Sequence, residues 1–306
     1  MLSKRNTSVF LITFVAIKCD EVPMKWNTLN INGLLLTLER PLVMGILNVT
    51  PNSFYEASRK QTESEVAAEV ERLLSEGADI IDVGACSTRP DAAIVSKEEE
   101  TERLRFGLQA LRKVAPQALV SVDTFRADVA CMCVEEYGVG MVNDISGGTF
   151  DKDMFATVAK LRTPYILMYI QGEVESMHRQ HTYADVTADT IKALAAKVSE
   201  LRGMGVHDII LDPGFGFSKT LEQNYELVAH LADFQVFELP LLVGISRKSM
   251  IWRQLDIRPE EALNGTTALH MAALERGADI LRVHDVKQAV EAVRIYEELT
   301  KYQSTK

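Results

Sequence analysis

Positive charge is in short supply in this sequence. Its 306 residues carry 33 Lys and Arg against 43 Asp and Glu, a formal net charge of -10. A surface of that sign repels nucleic acid and anionic lipid, so partners that need a basic face are excluded. An acidic protein that takes an anionic ligand must gather its cations in one cleft. Cysteine is scarce too, limited to Cys19, Cys86, Cys131 and Cys133. None has zinc-ligand spacing, and two residues apart on a helix point to different faces, so reduced thiols in a cytoplasm are expected. Long apolar runs are missing. Residues 9–17, behind Lys4 and Arg5, have the charge and length of a signal-peptide core but no small-residue cleavage pattern. They are far too short to cross a bilayer, which takes about 20 residues. Residues 1–23 read as a dispensable extension, and residues 24–306 as one folded domain that starts at Met24.

What is present is rhythm. Asn32-Gly33 between two short apolar runs is a strong hairpin signal. After it, a short apolar strand, a polar loop and an amphipathic helix repeat. The strands fall at 42–47, 80–83, 119–122, 141–143, 165–168, 209–211, 241–243 and 280–283. Thr62 with Glu65, and Ser96 with Glu99, read as capping boxes, and Pro259 sits where a first-turn proline belongs. Glu76-Gly77-Ala78-Asp79 is echoed by Arg276-Gly277-Ala278-Asp279, and more loosely around Gly205 and Asp208. Each marks a helix stopping at a glycine and entering a strand within a few residues. Eight such units without a linker imply a single (β/α)8 TIM barrel carrying an N-terminal β-hairpin. A doubly wound sheet is the alternative, but no Gly-x-Gly-x-x-Gly follows the first strand.

Leu239-Pro240-Leu241-Leu242-Val243-Gly244-Ile245-Ser246-Arg247-Lys248-Ser249 organises the rest. It opens as a strand buried on both faces and breaks at glycine into two cations and two hydroxyls. A lysine there can pair a carbonyl, form a Schiff base or contact phosphate; the bland reading is a surface turn. The other strand tips decide between these. Asp123, Asn143, Asp212 and Lys248 offer donors and acceptors suited to a flat heteroaromatic with an amino-amide edge. Asn48, Arg89, Arg282 and His284 look like a separate anion site, and Phe54 and Phe217 supply aromatic surface. No nucleophile sits beside an obvious base.

Seven stretches resemble one family, dihydropteroate synthase, in that family's order. They are Met44-Gly45-Ile46-Leu47-Asn48-Val49-Thr50-Pro51, Ser87-Thr88-Arg89-Pro90, Ser121-Val122-Asp123-Thr124, Val142-Asn143-Asp144-Ile145-Ser146-Gly147-Gly148, Asp212-Pro213-Gly214-Phe215-Gly216-Phe217, Ser246-Arg247-Lys248-Ser249 and Arg282-Val283-His284-Asp285. Each is modest alone; together they are specific and cover the chain from about Met24 onward. The resemblance implies condensation of 6-hydroxymethyl-7,8-dihydropterin pyrophosphate with p-aminobenzoate, giving 7,8-dihydropteroate and pyrophosphate in folate synthesis. It also implies Mg2+, an SN1-like path, a homodimer and competition by sulfonamides that mimic p-aminobenzoate.

Carried over by motif, Asp123, Asn143, Met168, Asp212 and Lys248 would bind the pterin. Asn48 would help hold Mg2+ and pyrophosphate, with Arg89, Arg282 and His284 on the phosphates. Thr88, Pro90, Phe217 and Ser249 would frame p-aminobenzoate. Lys248, Asp123, Arg282 and His284 would be the catalytic group. The chain departs from the family at Asn52, where Asp is usual, at Glu56-Ala57-Ser58, where Asp-Gly-Gly is usual, at Tyr169, a common His, and at Cys86 and Asp91, where Glu and Gly are frequent. Two other readings compete: a methyltetrahydrofolate-type pterin-binding methyltransferase domain, and a non-catalytic pterin-binding homologue.

Overall fold

The computed structural model describes residues 28–49, 56–86, 94–173, 179 and 181–303, with residues 56–62 as backbone alone. A hairpin of β1 (Thr28–Ile31) and β2 (Leu34–Thr37) precedes the barrel strands β3 (Leu42–Asn48), β4 (Ile80–Gly84), β5 (Val120–Asp123), β6 (Met141–Asp144), β7 (Tyr165–Met168), β8 (Ile209–Asp212), β9 (Leu242–Val243) and β10 (Ile280–Val283). Between and after them run α1 (Glu56–Ser75), α2 (Lys97–Val114), α3 (Ala127–Tyr137), α4 (Met154–Leu161), α5 (Val186–Gly203), α6 (Leu221–Ala229), α7 (Ser249–Leu255), α8 (Leu263–Leu274) and α9 (Val286–Gln303). The strands pair in parallel in the order β8-β7-β6-β5-β4-β3-β10-β9. A parallel bridge between Leu211 and Leu241, with Leu211 N donating to Pro240 O at 2.8 Å, brings the two edges together. The expected TIM barrel with its N-terminal hairpin is the architecture found.

Alternation along the strands sorts the apolar residues into two cores. Val43, Ile81, Val122, Val142, Leu167, Leu211, Val243 and Leu281 point outward and pack with the helices. Leu42, Met44, Ile80, Met141, Ile166, Ile210, Leu242 and Ile280 pack together inside, joined by Leu29, Ile31 and Leu38 from the hairpin segment. The hairpin therefore plugs the barrel at the N-terminal ends of its strands. The wall of the barrel becomes polar one inward position higher.

The repeated glycine-aspartate punctuation has a physical reading at that lower end. Gly77, Gly205 and Gly277 all take positive φ, which lets the chain turn straight from helix into strand. The aspartates bond to backbone N–H groups at the starts of strands. Asp79 accepts from Val43 N at 2.9 Å and pairs Arg40, Asp279 accepts from Leu241 N at 2.8 Å, and Asp208 accepts from Asn30 N at 3.0 Å.

Three expectations need adjustment. α1 already runs from Glu56, so Thr62 and Glu65 lie inside the helix and do not cap it. Ser96 caps α2, accepting from Glu99 N at 3.2 Å, but the Glu99 carboxylate turns to Arg103, so only half of that box forms. β9 begins at Leu242 rather than Leu241, which joins the sheet only through its isolated bridge to Leu211. Cys19 lies outside the described residues, as do residues 1–23, on which the expectation of a dispensable extension rests.

Candidate active site

The upper barrel wall holds three carboxylates and an amide, three of them on the neighbouring strands β4, β5 and β6 and one on β8. Asp82 stands on β4, Asp123 at the end of β5, Asn143 on β6 and Asp212 at the end of β8. All four occupy the inward phase set by Ile80, Met141 and Ile210 below them. Arg282, on β10, reaches across the barrel. Its Nε donates to Asp82 Oδ2 at 2.6 Å and its Nη2 to Asp123 Oδ2 at 2.6 Å. Asn143 Nδ2 donates to the same Asp82 oxygen at 2.9 Å. The structure thus ties Arg282, read from sequence with an anion site, to the group around Asp123.

Lys248 enters from the loop after β9. Its ammonium donates to Phe215 O and lies 4.7 Å from the centre of the Phe217 ring. Arg247, one residue earlier, turns away at φ 54°, gripping Asp285 with two hydrogen bonds of 2.7 and 2.8 Å and donating to Glu260 O. Of two adjacent cations, one is a strut and the other faces the site. Gly216 makes room for Lys248, since a Cβ there would lie 3.0 Å from Lys248 Cδ and its φ is +80°. Lys219 is a second buried ammonium in this corner. It donates to Gly214 O at 2.9 Å and Phe217 O at 3.3 Å, and lies 5.0 Å from the Tyr169 ring centre.

Burial and charge act against each other here. Burial, reinforced by Asp82, Asp144 and Asp212 and only partly offset by Arg282, pushes the Asp123 carboxyl up to about 7. Burial also raises Asp212, with Lys248 opposing. Desolvation pulls Lys248 down to about 8 and Lys219 to about 7, each held up in part by Asp212. For Arg282 burial acts downward but the two carboxylates outweigh it, so it stays protonated. Three carboxylates facing three cations leave the pocket near neutrality in an acidic protein.

The remaining sequence-derived residues fall around this group. Met168 and Phe217 are buried in one apolar cluster with Phe125, Ile145 and Ile170, forming a wall. His284 lies half-buried, with N and Nδ1 each 3.2 Å from Ser246 Oγ. Ser249 opens α7 directly after Lys248. Asn48 is exposed at the tip of β3. A Cβ at Gly84 would lie 3.7 Å from Asn48 Oδ1 and 3.6 Å from Asp123 Oδ2, so both oxygens flank this glycine. Thr88, Arg89, Pro90 and Phe54 lie outside the described residues.

Sequence reasoning places Asp82 at a strand tip without giving it a role, and passes over Lys219. Asp82 had a signal, a lone charge inside the apolar strand Ile80-Ile81-Asp82-Val83. Lys219 had none, because only the fold shows that it turns inward. Asp144, beside Asn143, faces the other way: it accepts from Ser146 N, Gly148 N and Tyr165 OH, and shapes the loop after β6. Asp82 Oδ1 and Ser121 Oγ, partnered in strand register, are both buried with no hydrogen-bond partner among the described residues.

Such a wall can hold a flat ring by its polar edge, with cations nearby for an anionic group. The family of pterin-binding enzymes matches residues 44–284. Dihydropteroate synthase of Escherichia coli K12 is 40% identical over 267 residues, covering 87% of this chain and 94% of that protein. A solved structure of Xanthomonas albilineans dihydropteroate synthase with 4-aminobenzoic acid superposes with a TM-score of 0.81 at 36% identity, covering 90% of this chain and 98% of that one. The Xanthomonas albilineans protein in complex with 7,8-dihydropteroate is similar with a TM-score of 0.78 at 34% identity, covering 90% and 99%.

Proposed function

The chain belongs to the pterin-binding enzymes as a dihydropteroate synthase, and on that premise we propose how its residues divide the reaction. The enzyme joins 6-hydroxymethyl-7,8-dihydropterin pyrophosphate to p-aminobenzoate, giving 7,8-dihydropteroate and pyrophosphate in folate biosynthesis. The observation that carries the assignment of roles is the convergence of Asp123, Asn143, Asp212 and Lys248 around Arg282 in one buried polar wall.

Asp123 and Asp212, as carboxylates, accept from the amino and ring N–H groups of the pterin. These are charge-assisted bonds, about twice as strong as neutral ones. Lys248 donates to the ring carbonyl or a ring nitrogen, while Met168 and Phe217 pack on the ring. The bond from the methylene carbon to the pyrophosphate oxygen breaks with its electron pair leaving on oxygen. The arylamine nitrogen then gives its lone pair to that carbon, and the resulting ammonium loses a proton to solvent. The cation left on the methylene is spread over the dihydropterin, so no protein nucleophile is needed. Stabilisation comes from fixed charges and from holding the two substrates in line. Arg282 and His284, with Arg89 from sequence, are assigned to the negative charge that gathers on the leaving group. Thr88, Pro90, Phe217 and Ser249 are assigned to p-aminobenzoate.

Among the described residues no group of three or more His, Cys, Asp or Glu side chains is placed to hold a metal. Mg2+ is commonly held through one or two carboxylates plus substrate phosphates; here the substrate phosphates would supply most of its ligands. Asn48 Oδ1, an amide oxygen beside Gly84, is the side-chain oxygen we assign to it. When bound there with pyrophosphate, Mg2+ would neutralise charge on the leaving group.

We further assign the protein to a cytoplasm and to a homodimer. Cys86, Cys131 and Cys133 are free thiols, which supports a reducing compartment. Among the described residues no helix is long and apolar enough to cross a membrane. Ile295, Leu299 and Tyr302 are exposed at helical spacing along α9, an apolar stripe that supports self-association; light scattering distinguishes dimer from monomer. The activity is tested by incubating purified protein with the pterin pyrophosphate, p-aminobenzoate and Mg2+ and assaying dihydropteroate. Pterin affinity without product would reduce the protein to a non-catalytic pterin binder.

A further inference from the structure

We infer that Asp82 is a positioning residue of this site, which fixes the direction in which the Asn143 amide faces the pterin. The inference rests on the pterin reading above and adds to it a residue outside the set assigned to ligand contact.

Asp82 is fully buried, on the inward face of β4. An ionised carboxylate has acceptors only. A primary amide has two ends of nearly equal shape, one donating and one accepting. Set against Asp82, the Asn143 side chain has one workable orientation. The NH2 end donates to Asp82 Oδ2 at 2.9 Å, whereas the reverse would press two acceptors together with no proton between them. A buried acceptor pair of that kind costs the desolvation of both groups. The orientation of Asn143 is therefore set by the chemistry of its neighbour, and its Oδ1 is the end turned away from Asp82.

The same carboxylate oxygen takes Arg282 Nε at 2.6 Å, and the other branch of that guanidinium is tied to Asp123. Asp82 thus presents one oxygen as acceptor to two donors, Arg282 Nε and Asn143 Nδ2. Asn143 in turn is kept as an acceptor toward the ligand. A ring N–H, as in a dihydropterin, meets that oxygen as a partner; a ring nitrogen with a lone pair does not.

Asp82→Leu tests this, because it keeps the branched shape and removes the acceptor, while Arg282 keeps Asp123. The affinity for 6-hydroxymethyl-7,8-dihydropterin, read by calorimetry without phosphates, should fall at least about tenfold. The KM for p-aminobenzoate should stay within about twofold. In Asp82→Asn, Arg282 still calls for an oxygen at the position that faces Asn143, so pterin affinity should stay within about threefold of the wild type. In an Asn143→Ala background, which has no amide to orient, Asp82→Leu should cost less than about threefold. Wild-type pterin affinity in Asp82→Leu overturns the inference, as does an equal loss in both backgrounds. Should Asp82→Leu fail to fold, Asn143→Asp asks the same question by setting an acceptor against Asp82. It should bind the pterin more weakly than the wild type, and wild-type affinity there overturns the inference. A wild-type protein that takes up no pterin sinks the pterin reading itself, and this inference with it.

Discussion

Asp123→Asn should erase the acid limb of the pH profile and move the alkaline limb somewhat down, because the Asp123 carboxylate helps to hold the Lys248 proton. Asp123 is pushed up to about 7, first by burial and then by three nearby carboxylates, against the pull of Arg282. Its carboxylate form is the one that accepts from the pterin; the protonated form sets a donor against the ligand's donors. Activity should therefore rise with pH through about 7. Lys248, brought down to about 8 by burial, must keep its proton to donate, so activity should fall again above that value. kcat/KM for the pterin pyrophosphate reports groups of the free enzyme. With groups at about 7 and about 8, the working combination peaks near pH 7.5 and is about 20-fold less populated at pH 5.5 and at pH 9.5. Lys219 cannot produce an acid limb, because it loses rather than gains function as its proton leaves. In Asp123→Asn the plateau drops, yet the profile from pH 5.5 to 7.5 should be flat within about twofold. Ionisation of the substrate's phosphates is removed by repeating the titration as competitive inhibition by 6-hydroxymethyl-7,8-dihydropterin. An acid limb of unchanged position and slope in the variant would refute the assignment to Asp123.

Asp212→Asn should cost about 2–4 kcal/mol of transition-state stabilisation, because it replaces a charged acceptor that faces Lys248 with an amide offering a donor; unchanged pterin affinity in calorimetry would remove Asp212 from the site. Two glycines with similar φ should respond differently to alanine. Gly33, at φ +84° with open space around it, should lose only about 1–2 kcal/mol from backbone strain. At Gly214 a Cβ would meet Tyr169 O at 2.0 Å, so Gly214→Ala should lose more than about 3 kcal/mol or displace the loop and abolish pterin binding; denaturant melts and pterin titration that show Gly214→Ala equal to Gly33→Ala would contradict the packing described. A chain beginning at Met24 should fold and turn over as the full chain does, and a large fall in its Tm or kcat would show that residues 1–23 take part.

Where the chain's pattern had one physical meaning, it was legible. The short apolar runs at 165–168 and 280–283 are the strands observed, because a stretch that short between two helices has few other ways to be buried. The start of α1 was not legible: Thr62 and Glu65 have the spacing of a cap, yet the helix continues upstream through Glu56. A capping box is a local preference of about 1 kcal/mol, and the surrounding helix overrides it. The same limit applies to Arg247 and Lys248. Both are cations in one turn, and nothing local tells which will meet Asp285 and which will meet Phe215 and the site.

The sequence alone determined the order of elements, the parallel barrel and the identities of the polar strand tips. These depend on periodicity and on residue type, which are written along the chain. The tertiary structure decided which tips meet. Arg282 lies 200 positions from Asp82 and 159 from Asp123, and closing the barrel brings all three within hydrogen-bonding distance. Their effect on one another follows from that closure. Removing water from Asp123, Lys248 and Lys219 together shifts their proton affinities toward neutrality, and desolvation is a property of a folded cavity rather than of any stretch of chain.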